Sequence, residues 1–389
     1  MPETFAYFYP LTTRCPTRKA RASELGHKVV DETQLAQVAG TLFEGHKQPR
    51  NFCLGDKDWV NWDDSDQGAM GRQIEIAKDY GIGGFIFDTY IGERKGTSVS
   101  EVLDPLESAF LGLDASRNMR FACMAVLGSP RVVLPVPAEP GFEEPNRYYD
   151  ISVGTAHRIV DRMVPFWEQT NYLYVNDRPY LSIFTSDLDP KSSEEKKAQF
   201  GSVVEEIQEY SHKSYGVNPY LVGVIRTLPS ARMLQSLGAQ ALTGYAFLPE
   251  FSGDFSPIQE YGTLLDRRQK EWEVIHTELP QTPFVPPAVV GWDASPRGLN
   301  TKRLSQVTGC YPYTPVVVGG TPVLFSEMLR RTDDFIRRTV PVGEQYRVVC
   351  AWNEITEGAA LLPEVTDTGV DYGYLKVVRD LSPGAEINP

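Results

Sequence analysis

The chain predicts a single (β/α)8 TIM-type barrel, and three observations carry that expectation. Apolar strand-like runs alternate with longer helical patterns from one end of the sequence to the other, which implies a parallel sheet with crossover helices. About eight such units fit within 389 residues, a length suited to one barrel with insertions. The first strand-like run ends in Tyr9-Pro10, not in the glycine-rich turn that a doubly wound dinucleotide fold would need. No linker-like segment, internal repeat or low-complexity tract divides the chain, so residues 1–389 are read as one domain.

The elements follow in order. Phe5–Tyr9 is the first strand, stopped by Pro10. Residues 11–66 form a long polar connection to the first barrel helix, with one helical piece near Glu32 to Leu42. Gln67 to Tyr80 places Ile74, Ala77 and Tyr80 on one face and ends at Gly81, a helix with a glycine stop. Gly83–Tyr90 is the second strand, and Val99–Leu113 has helical spacing. Arg120–Val126 is the third strand and Val153–Gln169 a helix. Tyr172–Phe184 reads as a hairpin around the Asn176-Asp177 turn signal. Then come a charged helix at Glu194–Lys213, a strand at Tyr220–Ile225 and a short helix at Ser230–Leu237. Ala241–Phe247 is a strand, Pro257–His276 a helix and Val285–Val290 a strand. A basic helix at Ser326–Arg338 precedes the last strand, Arg347–Ala351, whose unbroken apolar run suits burial on both faces.

In such a barrel the ligand-facing groups lie just beyond the C-terminal strand ends. The last strand is followed there by Trp352, Asn353, Glu354 and Glu357. Two acids so placed can divide the work, one protonated and one ionised, as glycoside hydrolysis requires; a bare helix start with Gly358 in a turn is the plainer alternative. The other strand ends offer Tyr7 and Tyr9, Asp88 and Tyr90, Tyr245, and the cluster Trp292, Asp293 and Arg297. Tyr7 and Tyr9 either fill the barrel interior or face the crevice; Asp88 either caps the next helix or meets a ligand; Trp292 is either core or rim. Aromatics mixed with carboxylates suit a sugar, whose C–H faces stack on rings while its hydroxyls pair with Asp, Glu and Asn.

A net charge of −13 argues against a nucleic-acid partner or an anionic membrane surface. Five scattered cysteines without CxxC spacing argue against a disulfide framework or a zinc site, and a lone His46 is not evidence of a metal. HExxH, GxSxG, GxGxxG and P-loop patterns are missing, so no cofactor is expected. No signal-peptide pattern or long apolar run is visible, which points to the cytoplasm. Nothing in the sequence speaks to oligomeric state.

Several segments together resemble the glycoside hydrolase family 99-like proteins, which include endo-α-mannosidases and relatives from polysaccharide biosynthesis. They are Leu42-Phe-Glu-Gly45-His46-Lys-Gln48-Pro49, Arg72 to Phe85, the Asn176-Asp177-Arg178-Pro179 hairpin, Trp292-Asp293-Ala-Ser-Pro296-Arg297 and Trp352-Asn353-Glu354-Ile-Thr-Glu357-Gly358. They add His46 to the candidate substrate-binding set. The resemblance implies a (β/α)8 barrel acting on an α-mannoside-like or other glycosidic bond, with Glu354 as a base on the sugar 2-hydroxyl and Glu357 as the acid. A glycosyl-transferring or cyclitol-modifying biosynthetic enzyme, or a non-catalytic sugar-binding barrel, is the alternative. Three departures bear on substrate: the third strand runs into Cys123–Gly128 where the family shows a polar run, the second strand ends Phe87-Asp88-Thr89-Tyr90 where it shows a more aromatic stretch, and Ile355 stands between the acids where it shows Trp.

Overall fold

A computed structural model describes residues 2–11, 14–37, 42–44, 46, 51–56, 60–93, 99–128, 130–137, 144–145, 151–185, 188–251, 256–298, 303–307 and 311–382. The barrel strands are β1 (Glu3–Phe8), β2 (Ile82–Glu93), β3 (Arg120–Val126), β4 (Arg178–Phe184), β5 (Tyr220–Ile225), β6 (Ala241–Gly244), a split β7 (Phe284–Val285 and Pro287–Val289) and β8 (Tyr346–Cys350). Neighbours run parallel in the order β6-β5-β4-β3-β2-β1-β8. β7 closes the ring. Its first half pairs with β6, Phe284 opposite Leu242, and its second half with β8, Ala288 opposite Val349. The break falls at Pro286, which with Pro287 offers no N–H to a ladder, so the strand changes partner where it could not donate.

Aromatic rings fill the barrel. Tyr7 packs 4.8 Å from Tyr245, and Tyr180 meets Tyr346 edge-on at 5.7 Å. Arg347 of β8 is fully buried, and its fork grips Asp333, with Nε to Oδ1 at 2.9 Å and Nη2 to Oδ2 at 2.5 Å. A buried charge has to be paired in this way, and the pair ties β8 to an outer helix. The outer layer comprises α1 (Gln67–Asp79), α2 (Val153–Trp167), α3 (Glu194–Tyr215), α4 (Leu228–Ser236), α5 (Tyr261–Glu278), α6 (Pro322–Thr339) and α7 (Gly373–Asp380). Asp66, Ser152, Ser193 and Thr321 cap α1, α2, α3 and α6, each accepting from the N–H three residues on.

Three expectations need correction. Val99–Leu113 is not a helix: Val99–Val102 pairs antiparallel with the outer end of β2, Tyr90 opposite Val102, and short turns follow from Pro105. Its apolar spacing serves a strand and a buried turn in succession, and Pro105 cannot donate inside a helix. The stretch expected to begin a helix at Pro257 starts as a strand, Ile258–Glu260, parallel to Val316–Val318. In the 11–66 connection an unanticipated helix, Pro16–Glu24, appears, and of the piece expected near Glu32 to Leu42 the helix Glu32–Leu35 is seen, with 38–41 outside the described residues. Gly45 and Lys47–Pro49 of the resembling segment, and Cys310, lie outside the described residues. Among the described residues no helix is long and apolar enough to cross a membrane.

Candidate active site

β8 ends at Cys350, and the residues that follow are locked before the acids are reached. Trp352 turns into the core, fully buried, where its indole N–H donates to Gln73 Oε1 at 2.8 Å. Asn353 accepts from the Tyr9 N–H at 2.8 Å and donates to the Tyr9 carbonyl at 2.7 Å and to Asp64 Oδ2 at 2.9 Å. One side chain thereby joins the end of β1, the end of β8 and the long connection. Glu354 and Glu357 frame a single 3-10 turn, Ile355–Glu357. Gly358 ends it at φ 63°, in the left-handed region that suits glycine, where a Cβ would meet Asp293 N at 3.1 Å. That close approach lets the Asp293 N–H donate to the Glu357 carbonyl at 2.7 Å, so the loops after β7 and β8 hold each other.

Both acids line a cavity of about 400 Å³ at the C-terminal mouth of the barrel. Arg297, from the loop after β7, organises them. Its Nη2 donates to Glu354 Oε2 at 2.8 Å, its Nη1 to Glu357 Oε1, and its Nε to Thr356 Oγ1 at 2.8 Å. Behind it lies Glu32, buried, 3.4 Å from Nη2 and accepting from Thr356 Oγ1 at 2.9 Å, Tyr9 OH at 2.9 Å and Arg18 Nη2 at 3.0 Å. Burial alone would raise the pKa of Glu32, but Arg297 and Arg18 overcome it and hold it below the usual carboxylate value. The Arg297 guanidinium also lies 5.4 Å from the Tyr9 ring centroid.

On the other side, Tyr245 OH is 2.7 Å from Glu354 Oε1 and 3.1 Å from Asp88 Oδ2. A phenol has one proton to give, so both contacts are hydrogen bonds only if one carboxyl is protonated. Burial and then the charge of Glu354 push Asp88 well above its ordinary value, which makes Asp88 the donor and lets Tyr245 donate to Glu354. Burial and then Glu357 raise Glu354 to about 8 against the pull of Arg297. Glu354 is therefore largely protonated at neutral pH.

Of the residues singled out in the sequence, Tyr9, Asp88, Tyr90, Tyr245, Trp292 and Arg297 line this cavity with the two acids. Tyr7 is fully buried in the barrel interior, the first of its two readings. Trp352 and Asn353 hold the floor and do not line the cavity. His46 contacts Asp293, Nε2 to Oδ2 at 2.8 Å, while its Nδ1 accepts from the Leu42 N–H at 3.3 Å, so this pair clamps the connection to the β7 loop. Sequence reasoning missed Glu32, Arg18, Thr356 and Asp64, and also Tyr311, whose hydroxyl lies 3.2 Å from Glu357 Oε1. Arg18 and Glu32 lie on short helices of the 11–66 connection, away from any strand end, Asp64 and Tyr311 lie in irregular segments, and Thr356 was passed over between two acids.

The sequence model of the family described as "Glycosyltransferase WbsX" matches residues 147–378, more than half of the chain. That family lies in the GH99-like clan. An uncharacterized protein, WxcX, of Xanthomonas campestris pv. campestris is 24% identical over 362 residues; the match covers 89% of this chain and 46% of the relative, so the chain spans about half the length of the curated relatives it matches. Among solved structures, the GH99 endo-alpha-mannosidase from Bacteroides thetaiotaomicron aligns with a TM-score of 0.55 at 12% identity, covering 97% of this chain and 95% of that one. A glycoside hydrolase-like protein aligns with a TM-score of 0.59 at 12% identity over 97% and 93% of the two chains. At these identities the likeness is one of fold.

Proposed function

The chain belongs to the WbsX glycosyltransferase family, and from that premise we propose that it acts on a glycosidic bond with Glu354 and Glu357 as its reacting acids. The observation that carries the proposal is the shared guanidinium: Arg297 donates to both carboxylates at the wall of one cavity. Adjacent nitrogens of one fork hold two carboxyls close together, which suits the separation of about 5 Å used by retaining enzymes better than the wider gap that inversion needs.

Glu354 is the base and Glu357 the acid in this reading. A carboxylate whose pKa is raised to about 8 is better matched to a weakly acidic sugar hydroxyl than an ordinary one. Tyr245 and Arg297 supply the donors that steady it once ionised. Glu357, held on the same guanidinium, gives a proton to the departing oxygen. Asp88 Oδ1 has no hydrogen-bond partner among the described residues, and a second sugar hydroxyl would satisfy it. The bond is an α-mannoside-like linkage, and water is the acceptor. A second reading, transfer to a sugar hydroxyl, is favoured by the family's description as a glycosyltransferase; it shares every step up to the choice of acceptor.

The test is a pH–rate profile with aryl α-mannosides alongside Glu354→Gln and Glu357→Gln. With Glu354 as base, kcat/KM rises as pH climbs through about 8. Glu354→Gln then loses about 10²–10⁴-fold, while Glu357→Gln keeps most of its rate on a nitrophenyl leaving group that needs no proton. A profile that falls through the same pH reverses the two roles, and full activity in both variants removes the pair from the chemistry. Product analysis with an added acceptor sugar separates hydrolysis from transfer.

A further inference from the structure

One wall of the cavity takes no part in the chemistry above, and it begins in the strand ladder. Asp88, Met124 and Ser182 stand side by side across β2, β3 and β4, and two residues on, Tyr90, Val126 and Phe184 form the next row. Residues two apart on a strand share a face, so Val126 and Phe184 stand on the face that Asp88 occupies, one layer nearer the mouth. All three line the cavity, as do Leu127 and Pro130. The backbone of this stretch is paired within the wall. The Leu127 N–H donates to the Phe184 carbonyl and the Gly128 N–H to the Val126 carbonyl, both at 2.9 Å. Among the described residues, what β3 and β4 turn to the cavity at this level is hydrocarbon, from Val126, Leu127 and Phe184.

That hydrocarbon stands close to the acids. The Phe184 ring stacks on the Tyr245 ring, with centroids 5.8 Å and planes 22° apart, and the Tyr245 hydroxyl is 2.7 Å from Glu354. Arg131, next after Pro130, lies 4.8 Å from the centroid of Tyr311, whose hydroxyl reaches Glu357, so it belongs to the acid side of the cavity. The apolar wall therefore starts one ring's width from Glu354. It faces the sugar whose bond is broken, not a unit further along a chain. An ordinary hexose would bring its C6 hydroxyl to such a wall, and an acetamido sugar a carbonyl and an N–H. A polar group set against hydrocarbon gives up its water without a partner in return. A methyl group gives up nothing and gains the burial.

We propose that the sugar held at the acid pair is a 6-deoxyhexose, its methyl group seated against Val126, Leu127 and Phe184 while its hydroxyls face Asp88 and Glu354. This rests on the carbohydrate reading above and adds the class of sugar. Val126, Leu127 and Phe184 are then specificity determinants, and the apolar end of β3 selects what the acids act on.

The experiment is calorimetric titration of the full chain with the methyl α-glycosides of mannose and galactose, in D and L forms. Each is run beside its 6-deoxy and its 2-acetamido-2-deoxy analogue. We expect one 6-deoxy sugar to bind at least about tenfold tighter than its parent hexose. Saturation-transfer NMR should then give its strongest signal at the sugar methyl group. Val126→Thr adds a hydroxyl in nearly the same shape and should bring that pair of sugars close to parity. Circular dichroism checks that this variant stays folded, and Phe184→Tyr, at a partly exposed position, repeats the test if it does not. Equal binding of parent and 6-deoxy sugars, or tightest binding of the acetamido series, overturns the inference and leaves the carbohydrate reading standing. A 6-deoxy preference that survives these substitutions with no transfer to the methyl group also overturns it, because the methyl then sits elsewhere. Binding of none of these sugars overturns both.

Discussion

Glu32 reaches the acid pair from the far side of Arg297 and is the residue whose role the sequence least announces. Nothing about Asp31-Glu32 at the head of a four-residue helix distinguishes it from an ordinary cap signal, and its site partners lie 265 and 324 positions away at Arg297 and Thr356. Glu354, Glu357 and Arg297 were legible because each follows a strand whose apolar run fixes where it ends. Glu32 acts through Arg297, so it is a positioning residue with an electrostatic consequence: its charge helps to raise Glu354. Glu32→Gln keeps the shape and removes the charge. It also leaves Arg297 freer to favour ionised Glu354, so both effects lower the Glu354 pKa. The rising limb of kcat/KM should therefore move below its wild-type position near 8, with a modest change in KM. An unshifted limb with lost activity would make Glu32 a folding residue only.

At the scale of elements, the strand ends were readable and the segments between them were not. β3 and β5 have the boundaries that the apolar runs predict, since a strand buried on both faces shows its limits wherever polar residues resume. Val99–Leu113 misled because a strand leaning on β2 and a buried turn can share the three-to-four spacing of a helix. The 11–66 connection misled differently, as its fold is dictated by what it docks against. Asp64 is fully buried and accepts from the Leu11 N–H at 3.0 Å, Trp62 at 2.9 Å, Gln73 at 2.8 Å and Asn353 at 2.9 Å. Asn353→Ala would orphan the buried Tyr9 N–H and carbonyl and take away one of the four donors to Asp64. Leaving such groups unpaired costs about 1–3 kcal/mol each, so urea unfolding should show a loss of at least about 2 kcal/mol. Asn353→Asp cannot replace the two donated bonds and should rescue little; wild-type stability in the alanine variant would show that the connection docks without this clamp.

Across the whole molecule, the site is built against stability as well as for chemistry, and pH exposes the conflict. Glu354 runs opposite to the usual carboxylate, with a folded pKa of about 8 against an ordinary value of 4.5. Below 4.5 both folded and unfolded chains hold the proton and the group contributes nothing. Between 4.5 and about 8 the unfolded chain gives it up while the folded chain keeps it, so folding becomes progressively less favourable; above 8 the penalty is complete. Asp64, raised to about 7 by burial against its four donors, and Asp88, raised well above its ordinary value, act in the same sense. Glu32, with its lowered pKa, opposes them: its contribution is present above the ordinary carboxylate range and lost on acidification. A tenfold difference in acidity between the folded and unfolded chains is worth about 1.4 kcal/mol, so Glu354 alone imposes a few kcal/mol at alkaline pH. Glu354→Gln is neutral at every pH and matches the protonated carboxyl in shape. Its melting temperature should equal that of the wild type near pH 4, rise above it with increasing pH, and exceed it by several degrees at pH 9, while catalysis is lost. A variant no more stable than the wild type at pH 9 would mean that Arg297 and Tyr245 already carry the ionised carboxylate without penalty. The acid pair would then be a resting salt bridge, not a strained base awaiting a sugar hydroxyl.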